Sequence, residues 1–481
     1  MYPRRNRPFK AWHSLVLLAL TAAFVGCVSL APKYEQPPPP VPAEWPQGAA
    51  YEASTPGAAT ASQIGWREFY RDERLRTVVE QSLATNRDLR IATLNIERAR
   101  ALYRIRRADQ FPTIEAVASG TAQRIPGSIS PTGEGSTVRD YRVEVGFASY
   151  ELDLFGRVRN LKQQALQEYL AVVETQRSAH ISLVAEVAAV WVTLGSDQAL
   201  LQLAQNTLAS RSGSFGLTQR SYELGIASAL DLERARTTVE TARDAVAAYT
   251  RFVAQDRNAL DLLVGAPVPD TLLPDTSVDP VTALTDLPAG VLSSVLLERP
   301  DILAAERRLI GTHANIGAAR AAFFPSISLT ALGGTASGSL SGLFGSSSGA
   351  WTFLPQIAQP IFTAGGNRAR LQVAKTDRDI FLADYEQAIQ IAFREVADAL
   401  AGRGTIDDQL AAQQALVAAT QTTYDLTDAR YRAGIDSSLS LLDAQRELYS
   451  AQQGLIVTQL ARETNLVTLY KVLGGGWKAG P

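Results

Sequence analysis

The chain is written twice, and this duplication constrains its fold more than any other feature. RPDILAAERRLIGTHANIGAARAAFFPSISLTA at 299–331 follows the plan of NRDLRIATLNIERARALYRIRRADQFPTIEAVA at 86–118. Asp88 matches Asp301, Arg107 matches Arg320, and Phe111-Pro112 matches Phe324-Pro325, all at an offset of 213. Phe155 answers Phe362 at 207, Glu186-Val187-Ala188 answers Glu395-Val396-Ala397 at 209, and SYELGIASALDLERA answers RYRAGIDSSLSLLDA at 209. A repeat of this size predicts two equivalent halves of one architecture, not a series of unlike domains.

The 481 residues carry a net charge of −2, three histidines and one cysteine. Bulk charge does not favour a nucleic-acid partner, and the His and Cys counts leave little room for metal or nucleophile chemistry. His180 and His313 have no Cys or second His nearby, and paired carboxylates read as ordinary surface charges. The Gly/Ser run 333–349 lacks the lysine of a nucleotide-binding loop. No catalytic residue, metal or cofactor is expected.

The N-terminus accounts for the cysteine. Arg4, Arg5, Arg7 and Lys10 precede the apolar segment 14–26, which is too short to span a bilayer and reads as an export signal. Phe24-Val25-Gly26-Cys27 resembles a bacterial lipobox, with Phe24 in place of the usual leucine. Cys27 is the expected lipidation site and mature N-terminus. Val28 follows it, where an aspartate retains enteric lipoproteins in the inner membrane; this favours the outer membrane. The Pro-rich 36–46 and the small-residue run to Ser62 read as a tether. The domain plan is therefore a signal at 1–26, a lipidated tether at 27–62, and repeats at 63–275 and 276–481.

Proline costs about 3 kcal/mol inside a helix, and none occurs at 132–266 or 361–480. Helices are predicted at 157–223, 228–264, 366–432 and 437–473, with shorter ones at 72–107 and 291–320. Helices of this length without an all-round apolar surface must pack along one another as coiled coils. Alternating stretches at 113–126 and 141–153, and at 326–340 and 351–362, predict one β-hairpin per half (113–153 and 326–362). Their lengths suit tilted membrane strands. Four strands cannot close a membrane barrel, and an open edge cannot face lipid. The barrel must be shared between chains, two or three of them.

IGWREFYRD (64–72), NRDLR (86–90), ELDLFGR (151–157), YELGIASALDL (222–232), RPDI (299–302), ARAAFFPSISL (319–329), PIFTAGG (360–366), REVADALA (394–401), YRAGI (431–435), LLDAQR (441–446) and YKVLGGGW (470–477) resemble the outer-membrane efflux proteins of the TolC/OprM type, specifically the lipoprotein members. The likeness covers almost everything after Cys27. It implies a mainly α fold with a membrane β-barrel: a homotrimeric tube in which a shared 12-stranded barrel continues into a barrel of long helices crossing the periplasm. It further implies a passive exit duct for drugs and other amphipathic compounds, working with a periplasmic adaptor protein and an inner-membrane pump of the resistance-nodulation-division class. Acylated Cys27 would sit in outer-membrane lipid.

A duct must close when no pump is docked. The resemblance directs attention to the turn near Gly434. Leu439 and Asp443 lie four apart on one helical face, so three copies would form an apolar constriction and a carboxylate ring favouring cations. Arg430, Tyr431 and Arg432 are candidates to tie neighbouring helices together. In the first half Leu230 keeps the apolar position, but acid appears at Asp231 and Arg234 stands where Asp443 does. Gly225 and Gly434 are expected helix C-caps in turns that meet the adaptor. Alternatives are a type I secretion duct of the same fold and a lipid-anchored periplasmic coiled-coil scaffold.

Overall fold

Helix length follows proline spacing. The two proline-free runs each hold a 67-residue helix followed by a shorter one. The structure, a computed structural model, describes residues 29–51, 61, 64–131, 133–275, 280–282 and 292–477. The expected signal peptide and Cys27 lie outside the described residues. The main elements in chain order are α1 (Glu73–Thr85), α2 (Arg87–Ala108), β1 (Glu115–Ile125), β2 (Ser136–Leu152), α3 (Arg157–Glu223), α4 (Ala229–Val264), α5 (Pro300–Ala321), β3 (Ser326–Ser337), β4 (Gly349–Ala358), α6 (Gly366–Arg432) and α7 (Ser438–Val472). The series α2–β1–β2–α3–α4 is repeated by α5–β3–β4–α6–α7.

Two expected helices are divided. The one anticipated over 72–107 breaks at Asn86, which is extended (ψ 133°). Its N–H closes α1 on the Ser82 carbonyl at 2.8 Å, while its side-chain oxygen accepts from the Leu89 N–H at 2.8 Å and so opens α2. The helix anticipated over 291–320 begins as a 3-10 segment, Ser293–Glu298, and restarts at Pro300. Proline pushes its predecessor out of the helical region, and Arg299 has ψ 136°.

Packing divides the chain into two compact units. One comprises the segments up to Pro37, Ile96–Ala171 and Ala305–Tyr385 and contains a four-stranded antiparallel sheet in the order β1-β2-β3-β4. Register sorts its side chains into two unlike faces. One carries Ala116, Ala118, Val143, Val145, Phe147, Ile327, Leu329, Ala331, Trp351, Phe353 and Ile357 in matched rows. The other carries Ser119, Thr121, Asp140, Arg142, Glu144, Ser328, Thr330, Thr352 and Gln356, with Val117, Val138, Leu332 and Leu354 among them. A β-bulge between Phe147 and Tyr150 places Ser149 at φ 54°, which re-aims β2 before it leaves the sheet. At Gly146 a side chain would run into the Ala331 carbonyl. Below the strands, Phe155 stacks on Phe324 at 4.7 Å and Asn367 donates to the Ala322 carbonyl at 2.8 Å.

The other unit comprises Pro38–Asn95, Val172–Ala304 and Glu386–Pro481. Its core joins motifs that are hundreds of residues apart in sequence. Phe69 stacks on Tyr470 at 3.8 Å, the Tyr470 hydroxyl donates to the Ile64 carbonyl at 2.7 Å, and Trp191 donates to the Leu272 carbonyl at 3.0 Å. Arg299 forks between Asp301 (2.7 Å) and Glu395 (2.9 Å) and caps the Val472 carbonyl (2.9 Å). Val184, Val187, Ala188 and Leu194 of α3 are buried in this core.

The expected tether is extended over 29–51, but it is laid against helices. Tyr34 donates to Glu306 at 2.8 Å, and Trp45 stacks on Phe393 at 5.0 Å. Its aromatic residues give it surfaces to bury that its prolines do not.

Asn86 also donates to the Leu263 carbonyl at 2.8 Å, so one side chain caps α2 and ties it to the end of α4. Asn86→Ala is expected to lower stability by about 2 kcal/mol, read as a reduced thermal midpoint. Asn86→Asp, which keeps the cap acceptor but loses the donor, should recover only part of it.

Candidate functional site at the helix turns

Each half folds its two longest helices around one turn, and the two turns match bond for bond. At the end of α3 the Gly225 N–H meets the Tyr222 carbonyl at 2.9 Å and the Ile226 N–H reaches back to Ser221 at 2.8 Å. At the end of α6 the Gly434 N–H meets Tyr431 at 2.9 Å and the Ile435 N–H reaches Arg430 at 2.9 Å. The six-residue closure requires a left-handed residue, and Gly225 and Gly434 supply it with φ of 73° and 74°. The following helices start on serine caps: Ser228 accepts from the Asp231 N–H at 3.1 Å, and Ser437 accepts from the Ser440 N–H at 3.3 Å.

Charge separates the two turns. The Arg430 guanidinium holds Asp436 through two bonds of 2.7 and 3.0 Å, and that contact keeps the Asp436 carboxyl below the usual carboxylate range. Ser221 and Ala227 occupy the equivalent positions of the first half, so the first turn lacks this tie. There the Asp231 carboxyl completes a capping box with Ser228. Hydrogen bonds from the Ser228 hydroxyl and N–H lower its pKa. Its other oxygen accepts from the Ser438 hydroxyl at 3.1 Å, linking the first turn to the second.

Leu439 stands in the first turn of α7, nearly half exposed, and Asp443 follows one turn later, paired with Arg446 at 3.1 Å. Tyr431 is half-buried. Arg432 pairs with Asp428 at 2.8 Å on its own helix. Arg430 and Arg432 are thus both engaged within their own segment. Asp436 and Ser438 are the members that sequence reasoning passed over, and Asp231, seen there as the acid of the first-half turn, proves to be its cap. The Ser-x-x-Asp spacing at 228–231 signals the cap, but nothing local announces its second bond. Leu224, Ile226, Leu230 and Ile435 form an exposed apolar rim on these turns. Among the described residues no group of three or more His, Cys, Asp or Glu side chains is arranged to hold a metal ion.

Comparison with known proteins agrees with this architecture. The toluene efflux pump outer membrane protein TtgC of Pseudomonas putida is 50% identical over 464 residues, covering 96% of each chain. The cation efflux system protein CusC of Escherichia coli O157:H7 is 41% identical over 475 residues, covering 98% of this chain and 99% of its own. The crystal structure of the open state of the MtrE outer membrane channel of Neisseria gonorrhoeae superposes with a TM-score of 0.84 at 40% identity, covering 94% of this chain and 99% of that one. The profile described as outer membrane efflux protein matches residues 78–266 and 291–475. With its long paired helices, its two-faced sheet and its full-length relatives, the chain belongs to the outer membrane efflux protein family, the channels through which efflux pumps cross the outer membrane.

Proposed function

We propose that this chain is the outer-membrane exit duct of a tripartite multidrug efflux system, and that three copies close one tube. The carrying observation is the sheet: one face richer in aromatic and branched apolar side chains, one richer in polar ones, and outer edges on β1 and β4 with no strand beside them among the described residues. An open edge is not tolerated in lipid. Three copies of a four-stranded sheet give the 12-stranded barrel expected by resemblance, with the apolar rows toward lipid and the polar rows toward water.

The duplication supports the same reading. Within the chain Phe155 stacks on Phe324; their repeat equivalents, Phe362 and Phe111, are 87% and 64% exposed. Closing the ring places Phe111 of one copy against Phe362 of the next, the contact already made inside the chain. Residues 63–275 and 276–481 then act as two quasi-equivalent repeats of the wall. Ser29 donates to Asn160 at 2.8 Å, and the Leu30 carbonyl accepts from Arg320 at 2.9 Å. These contacts hold the segment just after Cys27 against the first turns of α3 and the last of α5, next to the strand ends. That position suits acylation of Cys27 and insertion of its chains in the outer membrane, after removal of a signal at 1–26 and with 27–62 as tether.

The gate we assign to the second turn. Leu439 forms the apolar constriction and Asp443 the carboxylate ring; Arg430, Tyr431 and Arg432 hold the turn closed, Arg430 through Asp436. The turns at Gly225 and Gly434 meet the periplasmic adaptor, and an inner-membrane resistance-nodulation-division pump supplies the cargo. Relatives named for toluene and for cations fit a duct whose selectivity resides in the pump. Catalysis has no part in this role.

Three outcomes test the reading. A deletion strain should become sensitive to several unrelated drugs and detergents and be restored by the plasmid-borne chain; unchanged sensitivity to all of them counts against it. Phe111→Cys combined with Phe362→Cys should give covalent oligomers up to trimer on oxidation, while either single variant gives none. In planar bilayers Arg430→Ala should raise the open fraction severalfold and Asp443→Ala should reduce cation preference. Wild-type conductance and selectivity in both variants would remove the gate from this turn.

A further inference from the structure

Register places every charged residue of the four strands on one face or the other. Glu115, Asp140, Arg142, Glu144 and Glu151 lie on the face that carries Ser119 and Thr330. The opposite face, with Phe147, Trp351 and Phe353, holds two charges only, Arg124 and Arg139. All the strand carboxylates are therefore on one side, and two cations stand without them on the other.

The two arginines are neighbours. Arg139 pairs with Ala122 and Arg124 pairs with Thr137, which makes them diagonal partners about 7 Å apart at the backbone, within reach of long side chains. Like charges at that distance repel. Both side chains are exposed, and among the described residues neither has an ion pair or a side-chain hydrogen bond; Glu134 in the hairpin loop reaches neither. Arg142, on the other face, pairs with Asp140 at 2.6 Å.

Their height on the sheet follows from the same register. β3 climbs from Ile327, opposite Leu152, to Ser337, opposite Tyr141, about 33 Å along the strand and about 25 Å once tilted as in a barrel. That matches the apolar band of an outer-membrane barrel, which aromatic side chains bound at each edge. Tyr141, its ring against Gly120, ends the band, and Arg139 and Arg124 follow toward the hairpin loop. A charge on the lipid side of such a barrel is costly at mid-membrane and tolerated at the interface. The β3–β4 hairpin has no charged residue from Ser326 to Ala358, so the feature belongs to the first repeat alone.

We infer that Arg124 and Arg139 bind the phosphate of an outer-leaflet lipid whose acyl chains lie along Ala116, Ala118 and Ala122. The inference rests on the outward orientation of the apolar rows proposed above. A guanidinium presents paired N–H donors that match phosphate oxygens, and an anion held between two of them relieves their repulsion. The three alanines are exposed on the same face of β1 and form a strip low enough for chains to lie flat. The site is on the outside of the barrel, one per copy, apart from the channel and its gate.

The test uses the full-length protein in detergent, with lipid A, diacylglycerol and inorganic phosphate as probes and bound lipid counted by native mass spectrometry. Wild type should retain lipid A in preference to diacylglycerol and keep it against excess inorganic phosphate. Arg124→Gln combined with Arg139→Gln should weaken lipid A binding about tenfold with an unchanged thermal midpoint; either single variant should show a smaller loss and serves if the pair folds poorly. Arg142→Gln, on the opposite face, should bind as wild type. No preference for lipid A, its displacement by inorganic phosphate, or wild-type binding in all the variants overturns the lipid site and leaves the duct untouched. A loss confined to Arg142→Gln overturns the site together with the outward orientation of the sheet.

Discussion

A strand that crosses lipid has nowhere to leave an unpaired backbone group, because the hydrocarbon offers no hydrogen-bond partner. Most of this protein's organisation depends on that constraint. Its four strands gather the aromatic side chains Phe147, Trp351 and Phe353 on one face and Asp140, Arg142 and Glu144 on the other, yet β1 and β4 end the sheet with no strand beside them among the described residues. A sheet built this way is part of a ring. The exposed aromatic residues Phe111 and Phe362 are the repeat equivalents of Phe324 and Phe155, which stack on each other within the chain.

The duplicated halves use the same backbone chemistry and place different side chains on it. Both turns close on a left-handed glycine and restart on a serine cap. Only the second adds an arginine–aspartate tie, and only the first sends a cap carboxylate across to its neighbour. Architecture fixes which positions face each other; the residue pair at each position then decides whether the contact is neutral or ionic.

Helix lengths were legible because proline, glycine and serine act locally. The long helices run over 157–223 and 366–432 as the proline-free stretches predict, and their partners begin one residue later than expected. The breaks at Asn86 and Arg299 were less visible. Asn86 ends one helix because its side chain is satisfied both by Leu89 in the next helix and by the distant Leu263 carbonyl, and a helical pattern does not report a distant acceptor. At the turns, Leu439, Asp443 and Arg430 were found from spacing and resemblance. Asp436 and Ser438 were not, since their bonds depend on how a short turn folds back and on a helix 207 residues away.

The sequence by itself determined the repeat, the two hairpins, the long helices and the glycine turns, all of which follow from local backbone preference and side-chain periodicity. It also identified the family, through motifs such as IGWREFYRD, RPDI and YKVLGGGW. Only the tertiary structure decided what those motifs are for: Phe69 stacks on Tyr470, while Arg299 reaches Glu395 and the last carbonyls of α7. It alone joined the two hairpins into one sheet through β2 and β3. These are contacts between residues far apart in the chain, set by packing and burial, and no local pattern encodes which distant partner will fill a given position.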